Sequence, residues 1–184
     1  MKNNLSRPQS VIRRSPFGGR VPAVLAVLLA GFLPGCVGYQ LGSTLPPGIK
    51  TVFVSTFVNQ TGEPRVEVEA TRAAIQEFQK DGTLRVRGKD QADALLTVTL
   101  VEYELEPLRY EKDRAKTTQE YRLLLTADIV FERASNGEVL VSRRVFGETD
   151  FEPAGDLSSA KRAALPAAAR DLAHDIVESV TEYW

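Results

Sequence analysis

Between Tyr121 and Phe131 one set of alternate positions is apolar throughout. Tyr121, Leu123, Leu125, Ala127, Ile129 and Phe131 fall on one side, with Arg122, Thr126 and Asp128 on the other. Strand side chains point to opposite faces in turn, so this run predicts a strand with one buried face. The next such run, Val139 to Glu148, keeps Val139, Val141 and Val145 on odd positions and follows Ser135-Asn136-Gly137. A two-residue Asn-Gly turn would pair odd with even positions and put Arg144 beside Ile129. A three-residue loop with Gly137 in the left-handed conformation pairs odd with odd, and this bulged hairpin is the prediction.

Upstream, Ala94 to Leu105 alternates over a length that predicts a long half-buried strand, with Leu95, Val101 and Tyr103 on the face away from Ala94, Leu96, Val98 and Leu100. Leu84 to Arg87 adds a short extended piece. Thr51 to Val58 is β-branched and aromatic on both faces, as in a strand inside a sheet. Between them the spacing of Val68, Thr71, Ile75 and Phe78 lays an apolar stripe on a helix closed by Asp81-Gly82. Ser158 to Trp184 reads as a second helix through Leu165, Leu172, Ile176, Val180 and Trp184. Pro166 either kinks it or starts a new helix. The fold class that follows is an α/β two-layer sandwich: a mixed four-stranded sheet, β-α-β-β-β-α, with two helices on one face.

Ahead of these elements, Lys2, Arg7, Arg13, Arg14 and Arg20 precede the apolar run Val21 to Leu33, with no acidic residue among them. Thirteen positions fall short of the roughly 20 needed to span a bilayer and fit the core of a secretory signal. Leu33-Pro34-Gly35-Cys36 then resembles a bacterial lipobox, in which cleavage precedes a cysteine that carries diacylglycerol. Pro34 departs from the small residues usual there, and an ordinary signal peptide with a coincidental cysteine is the alternative. Arg13-Arg14 with Phe17 misses the twin-arginine spacing by one position and reads as leader charge. The expected organisation is a signal peptide at 1–35, a lipidated tether rich in glycine and proline at 36–50, and a single α/β domain at 51–184.

Removing 1–35 from the 184 residues leaves 149, the size of one domain, and changes the charge balance. The leader holds five of the 23 basic residues and none of the 24 acidic ones, so the remainder carries −6. An acidic domain is a poor nucleic-acid binder. With Cys36 the one cysteine, no intramolecular disulfide can form. His174 has only Asp171, Asp175 and Glu178 nearby in sequence and reads as a solvated partner of a helical carboxylate. No nucleophile, base and orienting group converge, and no phosphate-binding glycine loop occurs, so neither enzyme, metal site nor cofactor is expected. Glu67, Glu69, Glu102 and Glu104 read as solvated.

Against this background Arg109, Lys112, Arg114 and Lys116 cluster in the loop between the second and third long strands. Arg143-Arg144 and Lys161-Arg162 are further basic pairs at or beyond the end of the neighbouring strand. Solvated loop charge accounts for them; so does an anion site in which guanidinium and ammonium groups hold phosphates of a lipid head group.

Cys36 followed by Gly38-Tyr39, then Ile49-Lys50-Thr51-Val52-Phe53-Val54 with Phe57 and Asn59, Ala92-Asp93-Ala94-Leu95-Leu96, and Glu120-Tyr121-Arg122-Leu123, resemble the LPS-assembly lipoprotein LptE family. The resemblance covers essentially all of 36–184. It implies no enzyme but a lipoprotein anchored through Cys36 at the periplasmic face of the outer membrane. Such a protein plugs and helps to assemble the outer-membrane β-barrel LptD and binds lipopolysaccharide on its way to the outer leaflet. It also implies lipopolysaccharide contacts from basic loop residues: Arg114 at the family's loop position and Lys161 as a looser counterpart. Lys116 and Arg162 join them as neighbours. Val37 after the cysteine, where aspartate would retain a lipoprotein at the inner membrane, points to outer-membrane sorting. A lipid-anchored accessory or structural lipoprotein of another envelope complex is the competing reading, with a tethered hydrolase third.

Overall fold

The long strand β4 (Ala94–Tyr110) forms the centre of the sheet and meets partners of both directions. On one side it pairs antiparallel with β5 (Thr118–Arg133), which pairs antiparallel with β6 (Val139–Phe151). On the other it runs parallel to β1 (Thr51–Val54) and, further along, to the two-residue β2 (Val58–Asn59). Beyond β1 lies β3 (Arg85–Val86), also two residues long. The mixed sheet therefore has six strands rather than four, the additional pair being two-residue pieces that both follow β1 in sequence. These relations come from a computed structural model, which describes residues 45–110, 118–153 and 155–182.

Helix α1 (Val66–Asp81) carries the chain from β1 to its parallel neighbours. Its buried face is Val66, Ala70, Ala73, Ala74 and Phe78, at the three- and four-residue spacing of one helical face. The predicted stripe was turned too far: Val68 is 53% exposed, while the small residues Ala70, Ala73 and Ala74 are inside. Alanines allow α2 (Leu157–Thr181) to pack closely, and this contact, invisible to a hydrophobicity count, selects the face. α1 ends where Gly82, at φ 76°, donates its N–H to the Phe78 carbonyl.

α2 starts at Asp156, whose carboxylate accepts the Ser159 N–H at 2.8 Å. It continues through Pro166 as one helix, so no second helix begins there. Ala164, Leu165, Ala168, Ala169, Leu172, Ala173 and Ile176 face the sheet and α1. α2 meets β6 tightly at Gly147, where a β-carbon would lie 2.2 Å from the Leu172 backbone nitrogen. Only glycine fits at this position.

The predicted parity of the β5–β6 hairpin holds along the strands: Ala127 faces Val145, Ile129 faces Arg143 and Phe131 faces Val141. It is reached differently. Arg133 and Glu138 bracket the turn, with Gly137 left-handed at φ 69°, and Glu132 still faces Val139. The extra residue is Leu140, a bulge one step inside β6, rather than a feature of the loop.

A second bulge overturns a face assignment. Leu100 faces Ala127 and Glu102 faces Thr126, leaving Val101 unopposed. Up to Leu100 the even positions are buried. After Val101 the odd positions Tyr103 and Leu105 turn to the core, and Glu102, Glu104 and Glu106 turn to the open face. Tyr103 thus belongs to the helix-covered layer, not to the face on which strict alternation places it.

Candidate functional site

The open face of the sheet is ordered by charge. Arg144 meets Asp128 in a bidentate pair, Nε to Oδ1 at 2.7 Å and Nη2 to Oδ2 at 2.9 Å. Arg122 binds Asp150 in the same fork, at 2.8 and 3.1 Å, and reaches Glu148 at 3.5 Å. The hydrogen bond to each arginine is the main cause holding Asp128 and Asp150 below the ordinary aspartate range. Between these pairs lies Thr126, 2% exposed, with a hydroxyl that has no partner among the described residues. Arg144 therefore sits within β6 with its charge engaged, rather than at the strand end as expected. Arg109 belongs to β4 rather than to a loop.

The β4–β5 ribbon outruns β6. The last rung of β6 is Phe151 opposite Tyr121, whose rings stack at 5.9 Å, whereas Arg109 and Tyr110 continue to pair with Glu120 and Thr118. Arg114 and Lys116, with Lys112, lie outside the described residues, in the segment 111–117 that follows. Cys36 also lies outside them.

Lys161 and Arg162 occupy the start of α2 and differ from each other. The Lys161 amine lies 3.0 Å from the Glu63 carboxylate and 5.1 Å from the centroid of the Tyr103 ring, half-buried. It is already paired and stacked over an aromatic face. Burial, aided by Glu63, pushes the Tyr103 hydroxyl up to about 12. Arg162 is exposed and, among the described residues, hydrogen-bonds the Ser159 hydroxyl at 3.0 Å. It shares a pocket of about 210 Å³ with Arg65, over Pro64, Val68, Leu165 and Pro166 and beside Glu69. Arg65 escaped sequence reading because the pocket joins segments almost a hundred residues apart; its left-handed φ of 69° sets it at the mouth of α1.

His174 pairs with Glu77 on α1 at 3.5 Å, across the helix interface rather than along its own helix. Among the described residues no group of histidine, cysteine or carboxylate side chains is arranged to hold a metal, and no helix is long and apolar enough to cross a membrane.

Residues 49–180 match the sequence profile of the family described as "LptE: Lipopolysaccharide-assembly". The match takes in most of the chain and every element of the sheet. The chain belongs to the LptE family. No curated protein matches it. Among solved structures, the hypothetical protein CT253 of Chlamydia trachomatis superposes with a TM-score of 0.53 at 8% identity, over 73% of this chain and 97% of that one. A minor lipoprotein of Acinetobacter baumannii gives 0.48 at 13% identity, over 72% and 93%, and protein XCC0632 of Xanthomonas campestris 0.49 at 13%, over 74% and 88%. The first of these likenesses establishes the fold alone.

The segments by which the chain resembles LptE proteins act in the fold. Asp93 accepts the Lys50 and Thr51 amides at 3.0 Å each and the Thr51 hydroxyl at 2.7 Å, while that hydroxyl accepts the Asp93 N–H at 2.9 Å. This knot starts β1 beside β4. The Thr51 hydroxyl, then the Lys50 amide, keep the Asp93 carboxyl below its usual value. Asn59 ties the loop before α1, donating to the Glu63 carbonyl and Glu67 carboxylate at 2.8 Å and accepting from Thr61. Glu63, so held, faces Lys161.

Proposed function

We propose that this LptE-family chain is an outer-membrane lipoprotein that binds an LptD-type β-barrel as plug and assembly partner and assists lipopolysaccharide transport to the outer leaflet. Family membership across 49–180 is the observation that carries the reading. In this proposal 1–35 is removed as a signal peptide, Cys36 is acylated, and 36–50 tethers the domain 51–184 to the periplasmic face of the membrane. More than one acyl chain on one cysteine suffices for stable anchoring. No step of this role calls for catalysis.

Lipopolysaccharide phosphates are assigned to Arg114, Lys116, Lys161 and Arg162. The pairs differ in readiness. Arg162 offers an exposed guanidinium above apolar Val68, Leu165 and Pro166, which suits an amphipathic anion. Lys161 must exchange Glu63 for phosphate, and the exchange would free the loop that Glu63 closes.

Two measurements test the reading. Affinity purification of the lipidated protein from an envelope extract recovers a stoichiometric LptD-type barrel; a different stoichiometric envelope partner would reject that role and favour the accessory-lipoprotein alternative. Charge reversal at Arg114 and Lys116 weakens binding of labelled lipopolysaccharide without moving the melting temperature, and unchanged binding removes those residues from the site.

A further inference from the structure

β6 is an edge strand, with β5 its sole strand partner among the described residues. Outward amides on such an edge are a template for another strand. Here two of them are taken. Asp175 accepts the Phe146 N–H at 3.0 Å and Asp171 accepts the Glu148 N–H at 2.9 Å. Four residues of helix advance ~6 Å and two residues of strand ~6.7 Å, so one carboxylate per turn meets one outward amide per pleat. The close approach of Leu172 to Gly147 sets that register.

The closed edge is complementary to itself. Antiparallel pairing of two copies about Phe146 sets Phe146 against Phe146 and each Arg144, bound in its own sheet to Asp128, against a Glu148 that lies beside Arg122 in its own, so that exposed ion pairs of the two copies join in one cross-strand network of alternating sign. The two capped amides show that the even positions point outward, and even residues are those that exchange hydrogen bonds in this register. Phe146 is 51% exposed. We propose that β6 is a surface for a second copy of this chain, and that Asp171 and Asp175 of α2 hold it closed. Pairing would be isologous, two-fold and antiparallel. It stands independently of any lipopolysaccharide role.

Sedimentation equilibrium on the purified full chain tests the proposal. The parent sediments as a monomer and Asp171→Ala/Asp175→Ala at twice that mass. Adding Arg144→Glu, which opposes Glu148 with a like charge, returns the variant to monomer; adding Glu148→Arg as well restores the dimer. A dimeric parent, a folded double variant that stays monomeric, or a dimer indifferent to the charge reversal overturns it. Should circular dichroism show the double variant unfolded, amide exchange in the parent decides. Phe146 and Glu148 amides protected like those of Val145 and Gly147 support the cap, and exchange at the rate of open amides overturns it.

Discussion

On the face of the sheet that meets the helices, Leu123, Leu125, Ala127, Ile129 and Phe131 of β5 are excluded from solvent. On the opposite face of the same strand, Arg122 and Asp128 are bound to charges of β6. The covered face is held by packing, which depends on volume and on the close approach of two alanine-rich helix surfaces. The open face is held by exposed ion pairs, each of which contributes little in water. Stability therefore resides in one layer, while the other can change its side chains and keep the fold.

Substitutions on the two faces should separate accordingly. Phe78→Ala empties a fully buried ring site where α1 meets the core and should lower unfolding free energy by about 3–5 kcal/mol in urea titration. Asp93→Ala removes the acceptor for three hydrogen bonds at the start of β1 and should cost about 1–3 kcal/mol. Because the folded Asp93 carboxyl lies below its unfolded value of about 3.9, its contribution is complete above that pH and is lost as pH falls through the folded value. Acid titration should accordingly narrow the gap between parent and Asp93→Ala, whereas a gap constant down to the acid transition would remove the carboxylate from this role. Thr126→Val replaces an unpartnered buried hydroxyl on the open face and should raise stability by about 1 kcal/mol, read as a higher melting temperature. Arg144→Ala, despite its bidentate geometry, should shift stability by less than about 1 kcal/mol. A loss as large as that of Phe78→Ala would erase the distinction between the faces.

Local pattern made most of the fold legible. The alternation from Tyr121 to Phe131 identified a strand and its buried side, and shared parity with Val141 and Val145 identified the hairpin register. Features decided by distant packing were not legible. Val68 and Ala70 lie on different sides of α1 because α2, some ninety residues later, selects the alanines. Tyr103 changes face because Val101 is left unopposed, and nothing in its composition announces this. The candidate site divides in the same way. Basic residues were visible as charges, but the Glu63 carboxylate and Tyr103 ring that engage Lys161 come from segments 98 and 58 positions away. Pro166, a helix breaker in a local reading, is accommodated within α2.

The unopposed Val101 also governs how β4 can vary over descent. It acts as a one-letter frame shift in a two-letter code: upstream of it even positions spell the core, and downstream odd positions do. Drawing that residue into the ladder would rewrite everything after it, turning Glu102, Glu104 and Glu106 into the dry layer and Tyr103 and Leu105 out to water, whereas deleting it would join Leu100 to Glu102 and leave both faces as they are. The central strand of this chain can therefore lose one residue at Val101 without recoding, whereas one residue added at a regular position requires either a second bulge or recoding of all that follows.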